Sequence, residues 1–314
     1  MGTDIERYTK MTSNVLDSID TSKGIISTIY RHHIAKYAMA DQFLADKIIE
    51  KGMLDSEDME IAARLYAIPK LRKEYVNISK IIIGSDLLCE HWNIDKDKAK
   101  TTFDDDWFNC FIEQAKTISN EEVQQIWSAI LVHECFEEST FRKVMLDRLA
   151  LLDRKSAVAF GKLCTLTYTV EVSDGRTYPI PLYLRDNILT SMIENGYVHY
   201  TSEFLVNYKT YVPDEDELEI LQEIGLIHLS EGADEGDIYS SDKITFTLSV
   251  DNQIVNAPTQ YDEEQKVYFL EVGNARFTRL GRDLYNCIKK QYPVHSSLLQ
   301  LVTSYINNNA SMYE

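Results

Sequence analysis

Apolar residues fall in two regular stripes on either side of a short polar break at residues 117–120. Trp107, Phe108, Phe111, Ile112 and Ala115 make the first; Val123, Ile126, Trp127, Ile130 and Leu131 make the second. Steps of one and three residues put each set on one face of a helix. Ser119 and Glu122 have the spacing of a capping box, in which the hydroxyl accepts from the third amide and the carboxylate reaches back. This predicts a helix beginning at Ser119, after one that ends near Lys116. Asp104, Asp105 and Asp106 suit the positive end of the first helix. The stripes predict an antiparallel helical hairpin with Trp107, Phe111, Val123, Trp127 and Ile130 in its core. At roughly 25 cal/mol per Å² of apolar area, burying both tryptophans contributes several kcal/mol.

Helical spacing also runs through residues 10–100. Ile26, Ile29, Tyr30, Ile34 and Tyr37 share a face, Gly52 suits a stop, Ser56 an N-cap and Pro69 a break or kink. Residues 139–165, STFRKVMLDRLALLDRKSAVAFGKLCT, predict two more helices, the second capped by Asp153 or, less well, by Ser156. Beyond residue 165 the texture changes. LTYTVEV and YPIPLYL read as strands around the turn SDGRT, and KITFTLSV, QIVNAPTQY and KVYFLEV read as further strands. DEDELEILQEIGLIHLSEG is a helix entering a strand, with Gly225 as its C′ residue. ARFTRLGRDLYNCIKKQY is a strand turning into a helix capped by Thr278, with Gly281 early in that helix. This order resembles a winged-helix domain. The expected fold is mainly α with a smaller α+β part. An N-terminal helical region spans 1–103, the hairpin and following helix 104–150, a winged-helix-like domain 151–291 and a C-terminal helix or tail 292–314.

Composition narrows the function. A formal charge of −18 repels phosphate backbones at long range. Twelve glycines and six prolines leave little material for long disordered linkers. The five cysteines are widely spaced with no C-x-x-C pair, which fits a reducing compartment. MGTDIERYTK has no apolar signal segment, its Glu6 breaks the myristoylation pattern, and no apolar run approaches the ~18 residues of a membrane span. The expected location is the cytoplasm.

Motif chemistry is sparse. HECFE, residues 133–137, has Glu137 where a zinc-binding helix needs its second histidine. There is no G-x-S-x-G, no Walker loop and no G-x-G-x-x-G, and DEDELE lacks the glycine and alternating oxygens of a calcium loop. No catalytic, metal or cofactor residue is assigned. Residues 201–240 carry eleven acidic side chains and one basic one, Lys209. Asp214, Glu215, Asp216, Glu217 and Glu219 therefore become candidate protein-docking residues, weighed against a merely solubilising face. Nucleic-acid binding is not expected, because the helix in the recognition position is acidic. Its contacts would have to come from Lys70, Arg72 and Lys73, or from Arg279 and Arg282 on the closing helix.

DWFNCFIEQAKTISNEEVQQIWSAIL resembles the signature region of a bacterial family, domain of unknown function 2806. Asp106, Trp107, Phe108, Ser119, Glu121, Glu122, Trp127, Ile130 and Leu131 match it. EYVNISKII upstream, and EILQEIGLI and VGNARFTRLGRDLY downstream, extend the likeness over roughly residues 74–290. The chain departs from the family's Ala-Gly-Glu and Pro-Gly-Ser-Phe, with Val132, His133, Glu134, Cys135, then Glu138, Ser139, Thr140 and Phe141. The resemblance implies a fold and no particular activity; the family's gene company suggests phage defence. The expected function is a non-enzymatic interaction, sensor or regulatory subunit with a protein partner or a second copy. Alternatives are a winged-helix nucleic-acid-binding regulator and an enzyme with an unrecognised site.

Overall fold

The computed structural model describes residues 24, 26, 68–100, 103–136, 141–171, 177–181, 183, 210–230, 237–240, 245–247, 260–262, 267–271 and 275–292. Gly52, Ser56 and the residues beyond 292 lie outside them, as does most of the stripe that begins at Ile26. The chain divides into two compact units, Met1–Arg154 and Lys155–Glu314. Helices dominate, with short antiparallel sheets confined to the second unit; the protein is mainly α with a smaller β part.

The first unit holds α1 (Ile68–His91), α2 (Asp105–Ala115), α3 (Glu121–Phe136) and α4 (Lys143–Leu149). Pro69 sits in the first turn of α1, where its missing amide proton costs no helical bond. The main helix pairing is α1 with α3. Contacts advance together along both, Lys80 with Glu121 and then Ser85 with Ser128, so the two helices run in the same direction. The seam is partly polar. Ser85 Oγ shares its proton between Ile81 O (2.8 Å) and Ser128 O (3.0 Å), and Ser128 Oγ between Gln124 O (2.8 Å) and Ile81 O (2.9 Å). All four bonds satisfy buried hydroxyls, whose desolvation would otherwise cost stability. Buried Asp86 accepts the amide of Ile26 at 2.9 Å and so ties part of the N-terminal region to α1.

Asp104 caps α2 by accepting the Trp107 amide at 2.8 Å. The predicted start of α3 needs correction. Asn120, one residue beyond Ser119, accepts the Val123 amide at 3.2 Å, while Ser119 is exposed. Trp107, Phe111, Val123, Trp127 and Ile130 are all buried. Both tryptophans meet one ring: Trp107 stacks on Phe111 at 5.2 Å, and Trp127 lies tilted against it at 5.1 Å. Apart from this ring contact, α2 packs mainly on α4 and α3 on α1. Trp107 Nε1 donates to Phe141 O at 2.7 Å, whereas buried Trp127 Nε1 has no hydrogen-bond partner among the described residues.

The second unit opens with α5 (Arg154–Thr165), which begins directly after Asp153. The hairpin β1 (Thr167–Glu171) and β2 (Thr177–Pro181) follows, in the register Thr167 opposite Pro181. Next come α6 (Glu215–Ile224), β3 (Ile227–Leu229), β4 (Asp237–Ser240), β5 (Thr245–Thr247), β6 (Gln260–Asp262), β7 (Val267–Glu271), β8 (Ala275–Phe277) and α7 (Arg279–Ile288). The sheets are ordered β2-β1-β5, β3-β8 and β4-β7-β6. The sequence pattern predicts no strand at β4, which pairs Ile238 with Leu270.

A clamp joins the end of α6 to the start of α7. Gly225 ends α6 at φ 86°, in the left-handed region that favours glycine. Thr278 donates its amide to Leu226 O (3.0 Å) and its hydroxyl to Gly225 O (2.6 Å), and its oxygen accepts the Gly281 amide (3.1 Å). Gly281 lets α7 approach, since a Cβ there would stand 1.9 Å from Leu226 O. Phe277 packs between Phe160 (5.6 Å) and Tyr285 (5.5 Å), and Leu221, Leu226, Leu284 and Ile288 are buried in the same unit.

Candidate interaction surface

The acidic run that opens α6 is not one surface. Asp214 and Glu217 form a capping box: Asp214 Oδ1 accepts the Glu217 amide at 2.7 Å, and Glu217 Oε2 accepts the Asp214 amide at 3.0 Å. Glu217 Oε2 also accepts Lys162 Nζ from α5 at 3.1 Å, and the residue is only 8% exposed. The sequence reading of Glu217 as a docking residue is therefore corrected. It stands at the third helical position, where its carboxylate meets the helix end and a cation inside the unit. Asp214 is exposed but already occupied as a cap.

Glu215, Asp216 and Glu219 remain on the outside, joined by Glu223. None of these four has an ion pair among the described residues, and their steps of one, three and four keep them on one side of α6. The opposite side buries Leu218, Leu221 and Ile224.

Helix α7 has the reverse character. Its inner face buries Leu280, Leu284, Tyr285, Cys287 and Ile288. Helical spacing then leaves Arg279, Arg282 and Asn286 exposed, with Lys289 and Lys290 continuing the face in a 3-10 turn, Lys289–Gln291. Arg279 lies 3.9 Å from Asp283, Lys289 Nζ is 3.5 Å from Asn286 Oδ1 and 5.9 Å from the centre of the Tyr285 ring, and Arg282 has no ion pair among the described residues. Of the other basic candidates, Lys70 and Arg72 fall in the first turns of α1, with side chains outside the described residues, and Lys73 is exposed. They belong to the first unit, Arg279 and Arg282 to the second.

HECFE takes part in packing. His133 meets the edge of Phe141 at 6.4 Å, and buried Glu134 pairs with Lys100 at 3.3 Å. Cys135 is buried, and burial pushes its thiol well above the usual range, with Cys89 adding to the effect. Among the described residues, no three His, Cys, Asp or Glu side chains form a group that could hold a metal ion. No helix among them is long and apolar enough to cross a membrane.

Fold and surface define a mainly α protein whose second unit carries opposite charges on two helices. A family model described as "Protein of unknown function (DUF2806)" matches residues 70–295. The chain belongs to that family. Comparison with curated proteins gives no match, and neither does comparison with solved structures.

Proposed function

We propose that this protein is a non-enzymatic, cytoplasmic interaction or regulatory subunit, and that its second unit is a winged-helix-like module that docks a basic protein surface on α6. The observation that carries this reading is the outward row Glu215, Asp216, Glu219 and Glu223. It is acidic, exposed and without an ion pair among the described residues, and it sits on a helix held firmly by its capping box, by Lys162 and by the Gly225–Thr278 clamp. The order α5, α6, β3, β8, α7 supports the winged-helix-like description. In such a domain α6 takes the recognition place, and its charge suits a cationic protein rather than phosphates.

The test uses a partner recovered from the native host and then purified. Reversing Glu215, Asp216 and Glu219 to Lys should slow association at low salt, and added salt should reduce the wild-type rate. An association rate that ignores both would leave the row as solubilising surface. A setting in phage defence is suggested by the family's gene company; equal plaque counts with and without the gene would remove it. The second reading, a nucleic-acid-binding regulator, draws on the cationic face of α7, and a gel shift across a salt series tests it.

A further inference from the structure

We propose that the cationic face of α7 is a docking site for the acidic face of α6 in a second copy of this chain, a head-to-tail contact. The inference rests on the reading of α6 as a docking surface and names its partner. The two helices match in length, and their outward faces oppose in sign. Each helix has ten residues, about 15 Å at 1.5 Å per residue. One presents Glu215, Asp216, Glu219 and Glu223; the other presents Arg279 and Arg282 beside Asn286, a face that Lys289 and Lys290 continue in the 3-10 turn. Burial of the opposite side of each helix forces these charges outward.

Among the described residues, no ion pair joins α6 to α7 within one molecule, and Arg282 and Lys289 have no carboxylate partner. Two different faces that complement each other make a heterologous contact, which joins copies head to tail. A nucleic acid is the poorer occupant. It would match only the cationic face of α7 and leave the acidic row of α6 unanswered, whereas a second copy, though it carries the same net charge of −18, offers the opposite sign to both faces.

The experiment is sedimentation velocity on the full chain across a concentration and salt series, with circular dichroism to confirm that each variant is folded. At about 0.1 M salt a Debye length of about 10 Å screens much of the repulsion between two chains of −18 but not a direct contact of opposite faces, and the wild type should associate as concentration rises; at about 1 M, where it is about 3 Å, the chain should be a monomer. Glu215→Lys with Glu219→Lys should weaken association about tenfold or more, and so should Arg282→Glu with Lys289→Glu. Mixing the two double variants should restore association, because each then offers the charge the other needs. The proposal is overturned by a monomer under all conditions, by association that neither reversal alters, or by a monomer whose duplex DNA binding is lost with Arg282→Glu and Lys289→Glu. If a different host protein binds and only the α6 variant loses it, the docking reading stands and the self-contact falls. If neither is seen, both fall.

Discussion

Replacing Gly281 by Ala sets two physical effects of opposite sign against each other. In an exposed helix the change favours Ala by about 1 kcal/mol, because glycine loses more backbone freedom on folding. Here the added Cβ would stand 1.9 Å from Leu226 O and 2.9 Å from Leu226 C. Ordinary carbon–oxygen contacts are about 3.3 Å or longer, so α7 must retreat by more than about 1 Å. Such overpacking costs about 1–3 kcal/mol. The retreat also stretches the two bonds that Thr278 donates to Leu226 O and Gly225 O, each worth about 1 kcal/mol. Sterics therefore outweigh propensity, for a net loss of about 1–4 kcal/mol. In a unit of this size that lowers Tm by roughly 3–12 °C. Thermal unfolding followed by circular dichroism measures the loss, and hydrogen exchange of the α7 amides places it in the second unit. Gly225→Ala is the control. No atom lies within 4 Å of a Cβ there, so its cost is the left-handed backbone alone, about 1–2 kcal/mol. Asn should recover part of that loss at 225 and none at 281. An unchanged or higher Tm for Gly281→Ala would refute the close-approach argument.

Trp107→Ala and Trp127→Ala should each cost about 3–5 kcal/mol in urea unfolding. Trp107→Phe should cost about 1–3 kcal/mol more than Trp127→Phe, because only Trp107 loses a hydrogen bond and leaves a carbonyl unpaired. Asn120→Ala should destabilise by about 1 kcal/mol and Ser119→Ala by less than about 0.5; the reverse order would return the cap to Ser119. In thiol labelling of the native protein, half-buried Cys110 should react first but more slowly than free cysteine at the same pH. Burial and then Asp147 raise its pKa, so less thiolate is present at neutral pH, and the rate should climb with pH past the point where free cysteine levels off. Cys135 and Cys164, both buried with strongly raised thiols, should label only on unfolding, and early labelling of either would contradict the packing.

What was legible in the sequence was local. The stripes through Trp107 and Trp127, the glycine end of α6 and the threonine start of α7 each depend on residues within a few positions of one another. The cap of α3 failed by one residue because Ser119 and Asn120 are both good caps, and the wider turn decided between them. Ile118 is buried there, and its carbonyl accepts Gln124 Nε2 at 2.8 Å. The pairing of α1 with α3 was not legible, since Ser85 and Ser128 meet only in space. Strand β4 is four residues long and depends on β7 for its identity. Glu217 shows a different kind of miss. Asp214 and Glu217 have the capping-box spacing that was applied at Ser119, but charge count placed both among their exposed neighbours.

That miss changes which experiment is informative. Reversing Asp214, Glu215, Asp216 and Glu217 together would remove the cap of α6, its reciprocal bond and the partner of Lys162. A lost N-cap alone costs about 0.5–2 kcal/mol. A lysine at 217 would bury a second cation beside Lys162, and an unpaired buried charge is strongly destabilising. Any loss of binding would then be a loss of α6 itself. Glu215, Asp216 and Glu219 are exposed and unpaired, so their reversal changes the field at the surface by six charge units while the helix stays anchored. Such a variant separates electrostatic docking from folding, because exposed single charges contribute about 0–1 kcal/mol to stability but act directly on the rate at which a charged partner arrives.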